Sequence, residues 1–107
     1  MELPQLVVKF IETQNTYNSG DYAECFTGNA IVHDEGKTHT GKAEIRQWIE
    51  EANEKYKSVM KPLRYEESGS NGILTAEVSG TFPGSPIVLK FHLGLKDGLI
   101  DSLNVTE

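Results

Sequence analysis

The stretch Ile87–Val105, IVLKFHLGLKDGLIDSLNV, decides the fold. Ile87, Leu89, Phe91, Leu93 and Leu95 alternate with Val88, Lys90, His92, Gly94 and Lys96, the two-residue period of a strand with one covered and one wetter face. Asp97-Gly98 is a pair that accepts positive φ at both positions, so a tight hairpin is expected there. The chain then returns from Leu99 to Val105, and plain alternation puts Leu99, Asp101, Leu103 and Val105 on one face.

Reading back toward the N-terminus, Pro83-Gly84-Ser85-Pro86 is a turn, and Leu74, Ala76, Val78, Gly80 and Phe82 form another alternating strand. Asn71-Gly72 signals a hairpin, and Met60–Glu67 reads as a strand whose Pro62 suits a start or an edge. Everything past Met60 is therefore β. Before it, Ala43, Ile45, Trp48, Ile49, Ala52 and Tyr56 recur at helical spacing. Glu44 at the front of that helix and Lys55 and Lys57 at its back complement the helix dipole.

At the N-terminus, Leu6, Val7, Phe10, Ile11 and Tyr17 mark a helix over residues 3–18. Gly20 is read as its stop and Asp21 as the N-cap of a short second helix through Tyr22, Ala23 and Phe26, ended by Gly28-Asn29. Between the helices lies Ala30–Gly41, AIVHDEGKTHTG, with a β-branched strand Ala30–His33, turn residues Glu35 and Gly36, and a brief paired segment. The order helix, short helix, strand with hairpin, long helix, then antiparallel strands is an α+β layer architecture. Helices cover one face of a curved, mostly antiparallel sheet, which leaves room for a pocket between the layers.

The chain has 107 residues and reads as one domain, 1–107. Its formal net charge of -6 disfavours a nucleic-acid partner, since a polyanion would be repelled. The N-terminal MELPQL lacks a secretion signal, and no run approaches the roughly 20 apolar residues of a membrane span. No membrane partner and a cytoplasmic setting are the expectation. The lone Cys25 reads as a half-buried apolar filler beside Phe26. No phosphate loop and no metal-ligand spacing occurs, so neither cofactor nor metal is implied.

The chemistry-bearing candidates gather around AIVHDEGKTHTG. Asp34 at a strand end is a general base if apolar walls surround it, because desolvation makes a carboxylate a better proton acceptor; the plainer role is a turn bond to backbone amides. Alternation points His33 to the opposite face, whereas His39 can return across the small hairpin toward Asp34 and give an acid–base pair. Asp101 is the one polar residue on its predicted face, and a second carboxylate in a pocket can divide acid and base roles. Tyr17, Trp48, Phe82 and Phe91 are wall or core residues. Lys90, His92 and Lys96 belong to the outer sheet face, where Val88 and Gly94 invite cover by a second subunit.

The N-terminal helix ending in NSGD, the AIVHDEG strand, the TGKAEIRQWI helix start and the closing DGLIDSL strand resemble the nuclear transport factor 2-like superfamily, especially its SnoaL-like polyketide cyclase and ketosteroid isomerase branches. The likeness spans essentially the whole chain and implies a cone-shaped α+β barrel, often a homodimer. It places Asp34 where ketosteroid isomerases keep their general base, Trp48 at an aromatic pocket position, and Phe91 and Leu103 at inward-facing strand positions. Two departures stand out: Thr13 replaces the family's oxyanion-hole tyrosine, and Phe91 replaces its protonated aspartic acid. The Asp21–Phe26 segment is also about three residues shorter than in those isomerases. Ketosteroid isomerisation itself is thus not expected.

The resulting expectation is a protein that binds a small hydrophobic, carbonyl-bearing compound and dimerises through its sheet. Asp34 would act as base for isomerisation, cyclisation or dehydration, with His39 or Asp101 as partner. The alternative is a non-catalytic ligand-binding or protein-interaction module of the same fold, which the two missing oxyanion donors favour.

Overall fold

A computed structural model describes residues 2–34 and 36–107 of the chain. Glu35, read above as a turn residue, lies outside the described residues. The elements run α1 (Gln5–Asn15), α2 (Ser19–Ala23), β1 (Phe26–Asp34), β2 (Lys37–Thr40), α3 (Gly41–Tyr56), β3 (Val59–Ser68), β4 (Asn71–Ser79), β5 (Ile87–Lys96) and β6 (Leu99–Thr106). The strands form one curved six-stranded sheet in the order β2-β1-β6-β5-β4-β3. Every pairing is antiparallel except β1 with β6, so β6 joins the β2-β1 ribbon to the β3-β4-β5 meander.

The helices cover the concave face. Val7, Phe10 and Ile11 of α1 and Ile45 and Ile49 of α3 meet Val32, Leu74, Ala76, Phe91, Leu93, Ile100 and Leu103 from the sheet. Phe10 is the hub of an aromatic cluster, with ring centroids 5.2 Å from Tyr22, 6.4 Å from Phe26 and 6.1 Å from Phe91. Such tilted and edge-on pairs add to simple area burial. At the start of α3, Glu44 accepts a hydrogen bond from the Thr40 amide at 2.9 Å, using one of the donors a helix start leaves over. At its end, the Lys55 and Tyr56 carbonyls accept from Thr81 Oγ1 and the Thr81 amide at 3.1 and 2.7 Å.

Five local expectations are corrected. The second helix starts earlier than Asp21: Asn18 is its cap, its side-chain oxygen accepting from the Asp21 amide at 3.1 Å, and Gly20 lies inside the helix. Phe26, Gly28 and Asn29 belong to β1, because Phe26 pairs with Ile100 and the Ile100 amide bonds the Cys25 carbonyl at 2.8 Å. A tertiary pairing here overrides a polar run with no strand pattern of its own. The β3–β4 turn is Gly69-Ser70 rather than Asn71-Gly72, with Ser68 facing Asn71 across it and Gly69 at φ 59°. Gly72 sits beneath the Tyr65 ring, where any side chain would collide with the phenol.

The fourth correction concerns β6. Gly94 pairs with Ser102 but Leu95 with Ile100, so Asp101 is an extra residue, a β-bulge. The bulge shifts the alternation by one: Ile100 and Leu103 are both fully buried, and Leu99 and Asp101 are not. Cys25 is likewise fully buried rather than half-buried, and burial pushes its thiol pKa up. The Asp97-Gly98 hairpin forms as expected, with φ values of 53° and 76°.

Candidate functional site

Along β1, Ala30 and Val32 point into the core, and the same parity brings Asp34 to the concave side at the strand's open end. β2 folds back against it, with Lys37 opposite Asp34 and His39 opposite Val32. His39 is therefore the diagonal neighbour of Asp34 on one sheet face. Trp48 of α3 stacks on His39, ring centroids 5.4 Å apart and planes 27° from parallel, and Tyr22 of α2 lies beyond it at 6.3 Å.

These residues form one end of a cleft of about 930 Å³ between α3 and the sheet. The volume suits a small organic ligand. Met60, Val78, Phe82, Ile87, Leu89 and Phe91 form the apolar wall, and Lys37, Glu51, Lys55 and Glu107 lie along the charged margin. Tyr22 is almost wholly buried, and burial holds its phenol pKa well above the ordinary value near 10, with the nearby Cys25 and Asp34 pushing the same way. A protonated phenol thus stands within electrostatic reach of the Asp34 carboxylate.

A second polar group lies further along the cleft. The Gln14 side-chain amide donates to Asn53 Oδ1 at 2.9 Å and to the Ser58 carbonyl at 3.0 Å, and both Gln14 and Asn53 border the cleft. Asn53 also borders a smaller depression of about 340 Å³ with Tyr17, Ser19, Glu50, Glu54 and Lys57.

Of the residues singled out in the sequence, Asp34, His39, Trp48, Phe82 and Phe91 come together around the large cleft. Tyr17 is exposed, in a left-handed conformation at φ 57°, and faces the smaller depression. Leu103 lies beneath the cleft in the dry core, paired with Leu93. Asp101 stands apart from the cleft lining and accepts a 2.7 Å hydrogen bond from Thr27 Oγ1. His33 is turned outward beside Thr38, and His92 on the outer face meets Thr106 Oγ1 at 2.8 Å. Among the described residues, no group of three His, Cys, Asp or Glu side chains is placed to hold a metal ion.

Three cleft residues, Tyr22, Gln14 and Asn53, were not singled out. Gln14 falls four residues after Phe10 and Asn53 four after Ile49, so each interrupts an otherwise apolar helical stripe. A polar residue in such a stripe needs a partner or a ligand, which is the signal that could have found both.

A curved α+β cone with a cleft under its long helix defines a known class of small domains. The chain belongs to the SnoaL-like domain family, whose model matches residues 7–102. It is similar to a protein of Sinorhizobium meliloti provisionally named a polyketide cyclase, at 33% identity, TM-score 0.93, over 97% of this chain and 95% of that one. A protein with a ketosteroid isomerase-like fold from Catenulispora acidiphila, crystallised with trimethylamine, shares 17% identity at TM-score 0.89, over 99% and 87% of the two chains. An epoxide hydrolase/cyclase-like enzyme of pyran ring formation in the polyether salinomycin shares 21% at TM-score 0.77, over 94% and 86%. These last two likenesses concern the fold alone. No protein with a curated description matches the chain.

Proposed function

We propose that this protein binds a small hydrophobic carbonyl compound in the large cleft and that Asp34 removes a proton from the carbon next to the carbonyl. The observation that supports the reading is that Asp34 lines a cleft with an apolar wall, within electrostatic reach of the buried phenol of Tyr22. The C–H electron pair becomes the enolate π bond as the Asp34 oxygen takes the proton. The Tyr22 hydroxyl donates a hydrogen bond to the carbonyl oxygen as it gains charge, a role for which Phe91 has no donor and Thr13 none to spare, its hydroxyl donating to the Lys9 carbonyl at 2.8 Å. The enolate then takes a proton at another carbon (isomerisation), attacks a second electrophilic carbon (cyclisation) or expels a β-hydroxyl (dehydration). His39, held against Trp48, is the group placed to return or deliver that proton.

The likeness to the Sinorhizobium meliloti protein provisionally named a polyketide cyclase supports a reaction of this class. The test is solvent exchange: a panel of cyclic ketones in deuterated water, followed by NMR at the carbon next to the carbonyl. Wild type accelerates exchange of at least one member, and Asp34→Asn lowers that rate by about 10²–10⁴-fold. Ligand binding without exchange by wild type would leave a binding module and remove the catalytic role.

A further inference from the structure

The amide pair Gln14 and Asn53 borders the same cleft as Asp34, and the hydrogen bonds orient both groups. The Ser58 carbonyl can only accept, so the Gln14 atom 3.0 Å from it is the amide nitrogen. That nitrogen also donates to Asn53, so the Asn53 atom at 2.9 Å is the oxygen. Both Gln14 N–H groups are thereby engaged, which leaves Gln14 Oε1 as an acceptor and Asn53 Nδ2 as a donor. The two residues are only 6% and 8% exposed, yet among the described residues no buried side-chain nitrogen or oxygen lacks a partner. The leftover atoms thus reach open space; both residues border the large cleft, and Asn53 also borders the smaller depression.

From this geometry we infer that Gln14 and Asn53 determine specificity by reading a hydroxyl on the ligand, which accepts from Asn53 Nδ2 and donates to Gln14 Oε1. The inference rests on the large cleft being the ligand site. Asn53 follows Trp48, which carries the His39 stack, by five residues on α3, about 7.5 Å along the helix axis. The ligand it describes is a rigid two-ring compound with a carbonyl at the Asp34 end and a hydroxyl at the far end, its apolar frame lying against Met60, Leu89 and Phe91. A group that only accepts or only donates satisfies one of the two amides and leaves the other without a partner.

The probes are 1-tetralone, 6-hydroxy-1-tetralone and 6-methoxy-1-tetralone, titrated by calorimetry. Wild type binds the hydroxy ketone about tenfold more tightly than 1-tetralone, as two modest hydrogen bonds require. The methoxy ketone, which accepts but cannot donate, binds at least threefold more weakly than the hydroxy ketone. Asn53→Asp keeps the oxygen that accepts from Gln14 and replaces the Nδ2 donor with a second oxygen. It leaves a methoxy oxygen without its donor while the hydroxyl can still donate to Gln14 Oε1 or to the new carboxylate, so the hydroxy-to-methoxy affinity ratio rises at least threefold above the wild-type ratio. A hydroxy-to-parent ratio near one in wild type, equal affinity for the hydroxy and methoxy ketones, an unchanged hydroxy-to-methoxy ratio in Asn53→Asp, or binding of none of the three overturns the inference. The methoxy comparison uses wild type alone and decides the matter even if the variant does not fold. Loss of Asp34-dependent exchange with an intact ratio would instead count against the catalytic reading only.

Discussion

Tyr22 is the residue of the site whose burial has a consequence for stability against pH. Its folded pKa lies well above the unfolded value near 10, and the cause is first burial, then the charges of Cys25 and Asp34. A group raised in this way contributes stability that is fully present below the unfolded pKa and is lost as pH rises through the folded one. Wild type should therefore lose unfolding free energy as pH rises above about 10, and Tyr22→Phe should flatten part of that decline, as read by urea denaturation at each pH. An identical pH slope for both proteins would show that the phenol is not held protonated by the fold. Tyr65, also raised by desolvation and by its 2.6 Å hydrogen bond to Glu67, and Cys25, raised by burial, add to the slope. At this scale Asp34 was legible, because a strand end, its parity and a family likeness converge on it. Tyr22 was not, since its burial is created by contacts with Phe10, Phe26 and Trp48 from three different elements.

At the scale of elements, the junction between the end of α3 and the end of β4 is a close contact bordering the cleft. Thr81 satisfies two helix carbonyls, and a Cβ on Gly80 would meet the Tyr56 carbonyl oxygen and the Phe82 ring. Gly80→Ala is expected to cost about 1–3 kcal/mol in urea denaturation, since backbone must give way. An unchanged midpoint would mean that the junction is looser than the contacts imply. Long periodic elements such as α3 and β5 were readable because burial acts on every third, fourth or second residue. The irregularities were not. Asp101 inserts an extra residue into β6, and the Thr27–Ala30 part of β1 opposes far fewer β6 residues than its own length, so both depend on a partner strand distant in sequence. The bulge is why an alternation that looked continuous from Leu99 to Val105 put Asp101 on the wrong face.

For the molecule as a whole, the outer face of the sheet is the surface that a second subunit would cover. Val88 there is 47% exposed and lies opposite Glu77 on β4. We expect wild type to show twice its 11.9 kDa chain mass by light scattering coupled to gel filtration. Val88→Lys should shift it toward the single-chain mass while remaining folded, because the lysine can pair with Glu77. A wild-type protein of single-chain mass would remove the proposed dimer. The architecture was legible at this scale because element order and hairpin signals prune the possible topologies strongly. The parallel contact of β1 with β6 was the least local part of it.

That contact has a kinetic meaning. β6 lies in the middle of the sheet but follows every other strand in the chain, so until it arrives, the β2-β1 ribbon and the β3-β4-β5 meander have no ladder between them. Ile100 and Leu103, which seal the space beneath the cleft, arrive with it. Folding should therefore be a late, all-at-once closure of two preformed halves rather than a steady growth from the N-terminus, with cleft and core completed in the same event.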